Sequence, residues 1–242
     1  MQKHTLRATT LAAALALTLT ACKSGEDAPR SAAGQVHGSS ADSEALEVGS
    51  NAAPALLGEV RVAELGSAAP DFRLVDSAGV SHELSDFRGE PVVLEWVNLD
   101  CPFVKKHYGA GNMQALQERY TGEGVTWLTI SSSGPGKQGH LDSAGWNAAI
   151  ADQGIAATAV LLDETGIVGK AYDARTTPNM CVIDGEGRLV YRGAIDDQAS
   201  PSPATLEGAT NYVAVTLDAL LQGNDVEPKE TRSYGCGIKY AN

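Results

Sequence analysis

The chain is short of positive charge: 18 lysines and arginines stand against 30 aspartates and glutamates, for a formal net charge of −12. Such a surface repels phosphate backbones, which removes nucleic acid from the expected partners. Long apolar runs are missing too. Beyond Leu11 to Leu19 no stretch approaches the roughly 18 residues that a bilayer-spanning helix needs, so nothing past the N-terminus is expected to cross a membrane. The loop from Gly134 to Gly139 contains Gly-Pro-Gly-Lys but lacks the glycine and lysine spacing of a phosphate-binding loop, and Pro135 has no amide to donate. Cysteine is scarce, with four in the chain, at Cys22, Cys101, Cys181 and Cys236.

What is present at the N-terminus points to export. Lys3 and Arg7 precede the short apolar stretch Leu11 to Leu19, the pattern of a signal peptide over residues 1–21. Leu19-Thr20-Ala21-Cys22 resembles the lipobox of bacterial lipoproteins, which implies that Cys22 carries lipid and begins the mature chain. The alternative is ordinary cleavage after Ala21, with Cys22 left as a free thiol. By the same resemblance, Lys23 rather than aspartate after the lipid site implies the outer membrane, facing the periplasm, with the lipid as the only membrane attachment. Residues 22–68 are rich in Ala, Ser and Gly without periodicity and read as a tether. Residues 69–225 then form one domain, and 226–242 a C-terminal tail carrying Cys236.

Within the domain, strand and helix signals alternate. Asp71 to Val75 and Ser81 to Leu84 flank a turn cluster, as in a β-hairpin, and Pro91 to Asn98 is an apolar run of the kind found in a strand buried on both faces. Cys101 ends that strand, Pro102 opens a helix expected to run to Gly122, and Val125 to Ile130 is a second central strand. Helices near 143–153 and 166–172 bracket a short strand at Val160 to Leu162. Met180 to Ile183 and Arg188 to Arg192 flank Asp184-Gly185-Glu186-Gly187, a hairpin signal, and a closing helix spans 211–221. The expected fold is α/β, a central mixed sheet flanked by helices.

If Cys22 is lipidated, three cysteines remain, enough for one disulfide and one thiol over. Cys101 stands at a helix N-cap, where the amides of Phe103 and Val104 and the helix dipole favour a thiolate, and Lys105, Lys106 and His107 add positive potential against Asp100. Cys236 lies between Gly235 and Gly237, which free the backbone to bring it to Cys101 as a resolving thiol; a structural tail disulfide is the alternative. Cys181, inside an apolar run, reads as core rather than redox partner. Asp196 and Asp197 read as a solvated turn or helix start rather than acid-base groups, and Trp96 and Trp127 as core.

The segment from Leu94 to His107 resembles the active-site segment of the peroxiredoxin-like, AhpC/TSA-related redoxin branch of the thioredoxin superfamily, in which Cys-Pro-Phe-Val-Lys replaces C-x-x-C. Thr176-Thr177-Pro178 matches the cis-proline motif that faces the catalytic cysteine, and Tyr191 to Asp197 and Tyr234 to Tyr240 match later landmarks. The resemblance spans Ala69 to Tyr240. It implies a thioredoxin-like fold with an extra N-terminal hairpin, and a thiol-disulfide oxidoreductase with Cys101, Cys236, Thr177 and Pro178 at its site. Pro102, Phe103, Val104, Lys105 and Lys106 would surround the thiolate. Substrates would be protein or small-molecule disulfides and thiols, with no cofactor and no metal. Two departures matter: Val104 replaces the second cysteine of the thioredoxin pair, and Asn98 stands where true peroxiredoxins carry the threonine of T-x-x-C, which counts against peroxidase activity. Alternatives are a thiol peroxidase acting through a sulfenic acid, a Cu(I) carrier using Cys101, Cys236 and His107, and a redox-inactive interaction module. Oligomeric state is not legible.

Overall fold

Strand Val92–Trp96 (β3) is buried along its whole length, and its alternating side chains feed two separate core layers. Val93 packs on one face with Trp127, Met180 and Val182; Val92, Leu94 and Trp96 pack on the other with Leu128, Ile130, Cys181 and Ile183. The computed structural model describes residues 62–242. The expected signal peptide, Cys22 and most of the tether lie outside the described residues.

Around β3 the chain builds a seven-stranded mixed sheet. Its first hairpin pairs Arg73–Asp76 (β1) antiparallel with Ser81–Glu83 (β2). After β3, helices Pro102–Gly109 (α1) and Asn112–Gly122 (α2) cross to Thr126–Ser131 (β4), parallel to β3. Helix Ser143–Gln153 (α3) leads to Ala159–Leu162 (β5), parallel to β4 and antiparallel to β1. Helix Ile167–Ala171 (α4) and the short strand Thr176–Thr177 (β6) follow. Asn179–Ile183 (β7) and Leu189–Gly193 (β8) form the second hairpin, with β7 antiparallel to β3. Helix Tyr212–Leu221 (α5) and strand Cys236–Gly237 (β9) complete the chain. The sheet order is β2-β1-β5-β4-β3-β7-β8, and β6 pairs with β9 apart from it. This is the thioredoxin-like plan with an added N-terminal hairpin. Among the described residues no helix is long and apolar enough to cross a membrane.

Three features differ from the sequence expectation. The helix expected from Pro102 to Gly122 is two helices, broken where Gly111 takes a left-handed φ of 72°. Order begins before residue 69: Ala63 is buried, its amide donates to the Ala171 carbonyl at 2.7 Å, and Gly66 N–H donates to Leu189 at 2.8 Å. Ala63 and Ala69 enter the core layer with Leu65 packed against it, and backbone bonds to neighbouring segments hold the stretch in place. The tail is docked rather than free. Cys236 pairs with Thr177, Ile238 N–H donates to Arg175, and Tyr240 donates its hydroxyl to the Ala174 carbonyl at 2.6 Å.

Candidate active site

The turn that presents Cys101 is built by Asn98, whose Oδ1 accepts from the Asp100 amide at 2.9 Å and whose Nδ2 donates to the Gln138 carbonyl at 3.2 Å. Cys101 N–H closes the turn onto the Asn98 carbonyl. Cys101 is the N-cap of α1, with Pro102 in the first turn, where a missing amide costs nothing. Its side chain is only 1 % exposed and belongs to the core layer that holds Val104, Tyr108 and Met180.

Across from it the Thr177–Pro178 peptide is cis. The Cys101 thiol donates to the Thr177 carbonyl at 3.0 Å, and Thr177 is the register partner of Cys236 in the β6–β9 pair. Gly235 makes this approach possible: its φ is 130°, and a Cβ there would overlap the Thr177 carbonyl. The glycine therefore serves close packing, not the tail mobility expected from sequence.

Burial raises the Cys101 pKa, but the Cys236 thiol, the Thr177 side chain and the Val104 and Cys236 amides act the other way, and the net result is below the ordinary thiol value. The Val104 amide contributes through its dipole, since Sγ makes no full capping hydrogen bond to α1. The neighbouring thiol moves oppositely: burial and the proximity of Cys101 push Cys236 up to about 11. The two thiols are thus shifted in opposite directions, and both cysteines are in the free form.

The basic residues expected around the thiolate do not surround it. Successive residues of a helix point about 100° apart, so Lys105 faces solvent while Lys106 turns inward. Lys106 Nζ donates to Asp196 Oδ2 at 3.2 Å and to the Gln198 carbonyl at 2.9 Å. His107 is fully buried. Its Nδ1 accepts from Asn112 Nδ2 at 2.8 Å and its Nε2 meets the Tyr234 hydroxyl at 3.4 Å, which assigns the ring proton to Nε2. Burial pushes its pKa down to about 4, with Asp196 opposing and Lys106 assisting, so it is neutral at pH 7. Asp196, expected in a solvated turn, is instead 2 % exposed and anchors this group; Asp197 is exposed, as a turn residue should be.

Tyr234 ties the group to the tail. Its hydroxyl donates to Asp196 Oδ1, and its ring lies 5.6 Å from that of Phe103 in α1. Sequence reasoning missed this role, although an aromatic two residues before Cys236 is a signal for an anchor. Glu95 was missed as well. It is completely buried beneath α1 and α2, and accepts hydrogen bonds from Tyr108, Gln117, Trp127 and Thr129, at 2.9, 3.1, 2.9 and 3.1 Å. Burial raises its pKa against the pull of those four donors. Cys181 lies in the opposite core layer from Cys101, and burial lifts its pKa to about 12. It is an inert core residue.

Residues 65–192 match the AhpC/TSA family, more than half of the chain. The chain belongs to that family. No curated protein matches the sequence. An uncharacterised conserved protein of Geobacillus kaustophilus shares 31 % identity and a TM-score of 0.65, covering 74 % of this AhpC/TSA chain and 93 % of its own. A hypothetical protein of Sinorhizobium meliloti 1021 shares 28 % identity and a TM-score of 0.61, over 74 % of this chain and 95 % of that one. The thioredoxin domain of a thiol-disulfide oxidoreductase from Bacteroides vulgatus superposes more loosely, at 20 % identity and a TM-score of 0.44, over 60 % and 96 % of the two chains. In this AhpC/TSA protein the Asn98 side chain is held at both ends, its Oδ1 by the Asp100 amide and its Nδ2 by the Gln138 carbonyl.

Proposed function

We propose that the protein is a thiol-disulfide oxidoreductase of the cell envelope, tethered by lipid on Cys22, in which Cys101 attacks and Cys236 resolves. The observation that carries this reading is the placing of two free thiols at one strand, Cys101 donating to the Thr177 carbonyl and Cys236 paired in register with Thr177, beside cis-Pro178, with Cys101 lowered and Cys236 raised in pKa. The Cys101 thiolate attacks one sulfur of a substrate disulfide; an S–S bond forms, the substrate's S–S bond breaks, and the leaving thiolate takes a proton. Cys236 then gives up its proton and attacks the Cys101 sulfur. The second substrate thiolate leaves, the substrate has gained two electrons, and the protein holds a Cys101–Cys236 disulfide. An external thiol or dithiol returns both cysteines to the reduced form.

A copper-carrier reading finds no support in His107, whose two nitrogens are directed at Asn112 and Tyr234 rather than toward the thiol pair. The test is turnover of a small disulfide by three proteins. Cys101→Ser should abolish it, and Cys236→Ser should complete the first attack but accumulate a mixed disulfide on Cys101. Wild-type turnover by Cys236→Ser without added thiol would remove the resolving role.

A further inference from the structure

A polar cavity of about 440 Å³ lies beside β6 and is lined by Thr176, Arg175, Asn179, Arg192, Arg232 and Ser233 among others. A second cavity, about 420 Å³, shares Thr176, Arg232 and Ser233 with it and extends to Gly235, the neighbour of Cys236. Two of the three arginines are already matched. Asp173 holds Arg175 with two hydrogen bonds of 2.9 Å, and Glu230 holds Arg192 at 2.8 Å. Arg232 is exposed and enters no ion pair among the described residues, so one positive charge is left over in the lining. The chain as a whole carries −12, a field that repels anions unless a local cation offsets it.

Asn179 supplies the second observation. It is 5 % exposed as a residue, lines the same cavity, and its side-chain amide is not among the enclosed, unpartnered polar groups. An amide at the wall of a cavity offers donors and an acceptor to a polar group that enters it. An amide donor together with an unmatched guanidinium is the donor set that suits a carboxylate.

We propose that this cavity binds the carboxylate-bearing part of a small disulfide or thiol substrate, pairing it with Arg232 and Asn179. The proposal rests on the thiol-disulfide reading for the identity of the reacting group. Its volume falls in the range of small-molecule sites.

The test has two arms. In the first, S-methylglutathione, which has carboxylates but no thiol or disulfide, is titrated into the full chain while backbone and side-chain amide resonances are followed by NMR. Asn179, Thr176 and Ser233 should shift and saturate, and Arg232→Gln should weaken the binding about fivefold, the effect of one exposed charge pair. In the second arm, kcat/KM is compared for oxidised glutathione, an anion, and cystamine, a cation. Wild type should prefer the anion, and Arg232→Gln should lower the ratio about fivefold through KM, with the salt dependence of the ratio reduced. Shifts at these residues with neither disulfide turned over would sink the oxidoreductase reading and leave the site standing. Turnover of both disulfides without those shifts, or a ratio unchanged in Arg232→Gln, would overturn the site and leave the oxidoreductase reading intact.

Discussion

Removing one hydroxyl, in Tyr234→Phe, should expose the Cys101 thiol. At 1 % exposure the sulfur cannot be reached until the segment carrying Cys236 lifts, and Tyr234 is the side chain that holds this segment to α1 and Asp196. A hydrogen bond to a carboxylate contributes about 1.5–3 kcal/mol. Asp196 keeps Lys106 and the Gln198 amide as partners when the tyrosine hydroxyl is gone, so the lower end applies, about 1.5 kcal/mol. The ring contact with Phe103 remains. A loss of that size raises the population with a lifted tail about tenfold. Tyr234→Ala also removes the ring contact, about 1 kcal/mol more, for a combined effect of about fiftyfold. The assay is the iodoacetamide alkylation rate of Cys101, read by peptide mass spectrometry across pH. The plateau rate should rise by these factors. If wild-type Cys101 reacts as fast as a free cysteine, or if Tyr234→Phe leaves its rate unchanged, the tail is not the cover over the site.

Three further outcomes are expected. Cys101 should titrate below the free-thiol value of about 8.5 when alkylation of its own peptide is followed by mass spectrometry in the protein with Cys236 in place, and a midpoint at or above that value would contradict the arrangement of groups around it. His107 should make the fold acid-sensitive. Between its ordinary 6.5 and about 4 the unfolded chain binds a proton that the folded chain refuses, so stability falls as pH drops through that window, by up to about 3 kcal/mol, in denaturant titrations. His107→Gln should flatten that slope, and an unchanged slope would show that His107 is not its source. Cys22→Ala should leave the membrane fraction on detergent partitioning, whereas unchanged partitioning would remove the lipid anchor.

The elements of the sheet were legible because their signals are local. Val92 to Trp96 alternates between two buried faces, and Asp184 to Gly187 carries the turn chemistry of a hairpin. The helix N-cap position of Cys101 was legible for the same reason, since a strand end, a proline and a helix start lie within a few residues. The surroundings of the thiol were not. Lys106 and His107 sit beside Cys101 in sequence, but helix rotation turns them to a buried carboxylate 90 residues on for Lys106, a pairing that no local spacing reveals. The glycines flanking Cys236 read as flexibility because composition does not distinguish a hinge from a close contact; only the Thr177 carbonyl facing Gly235 does. Glu95 was hidden likewise, its four donors arriving from α1, α2 and β4.

The central claim is that Cys101 and Cys236 are redox partners, and the disulfide map of the oxidised protein tests it most directly. Peptide mass spectrometry of the chain, oxidised by a small disulfide and quenched in acid, should show Cys101 joined to Cys236 and Cys181 as a free thiol, because Cys236 faces Thr177 beside Cys101 while Cys181 lies on the other side of the sheet. A Cys101–Cys181 bond, or two free thiols at Cys101 and Cys236 after full oxidation, would contradict the account.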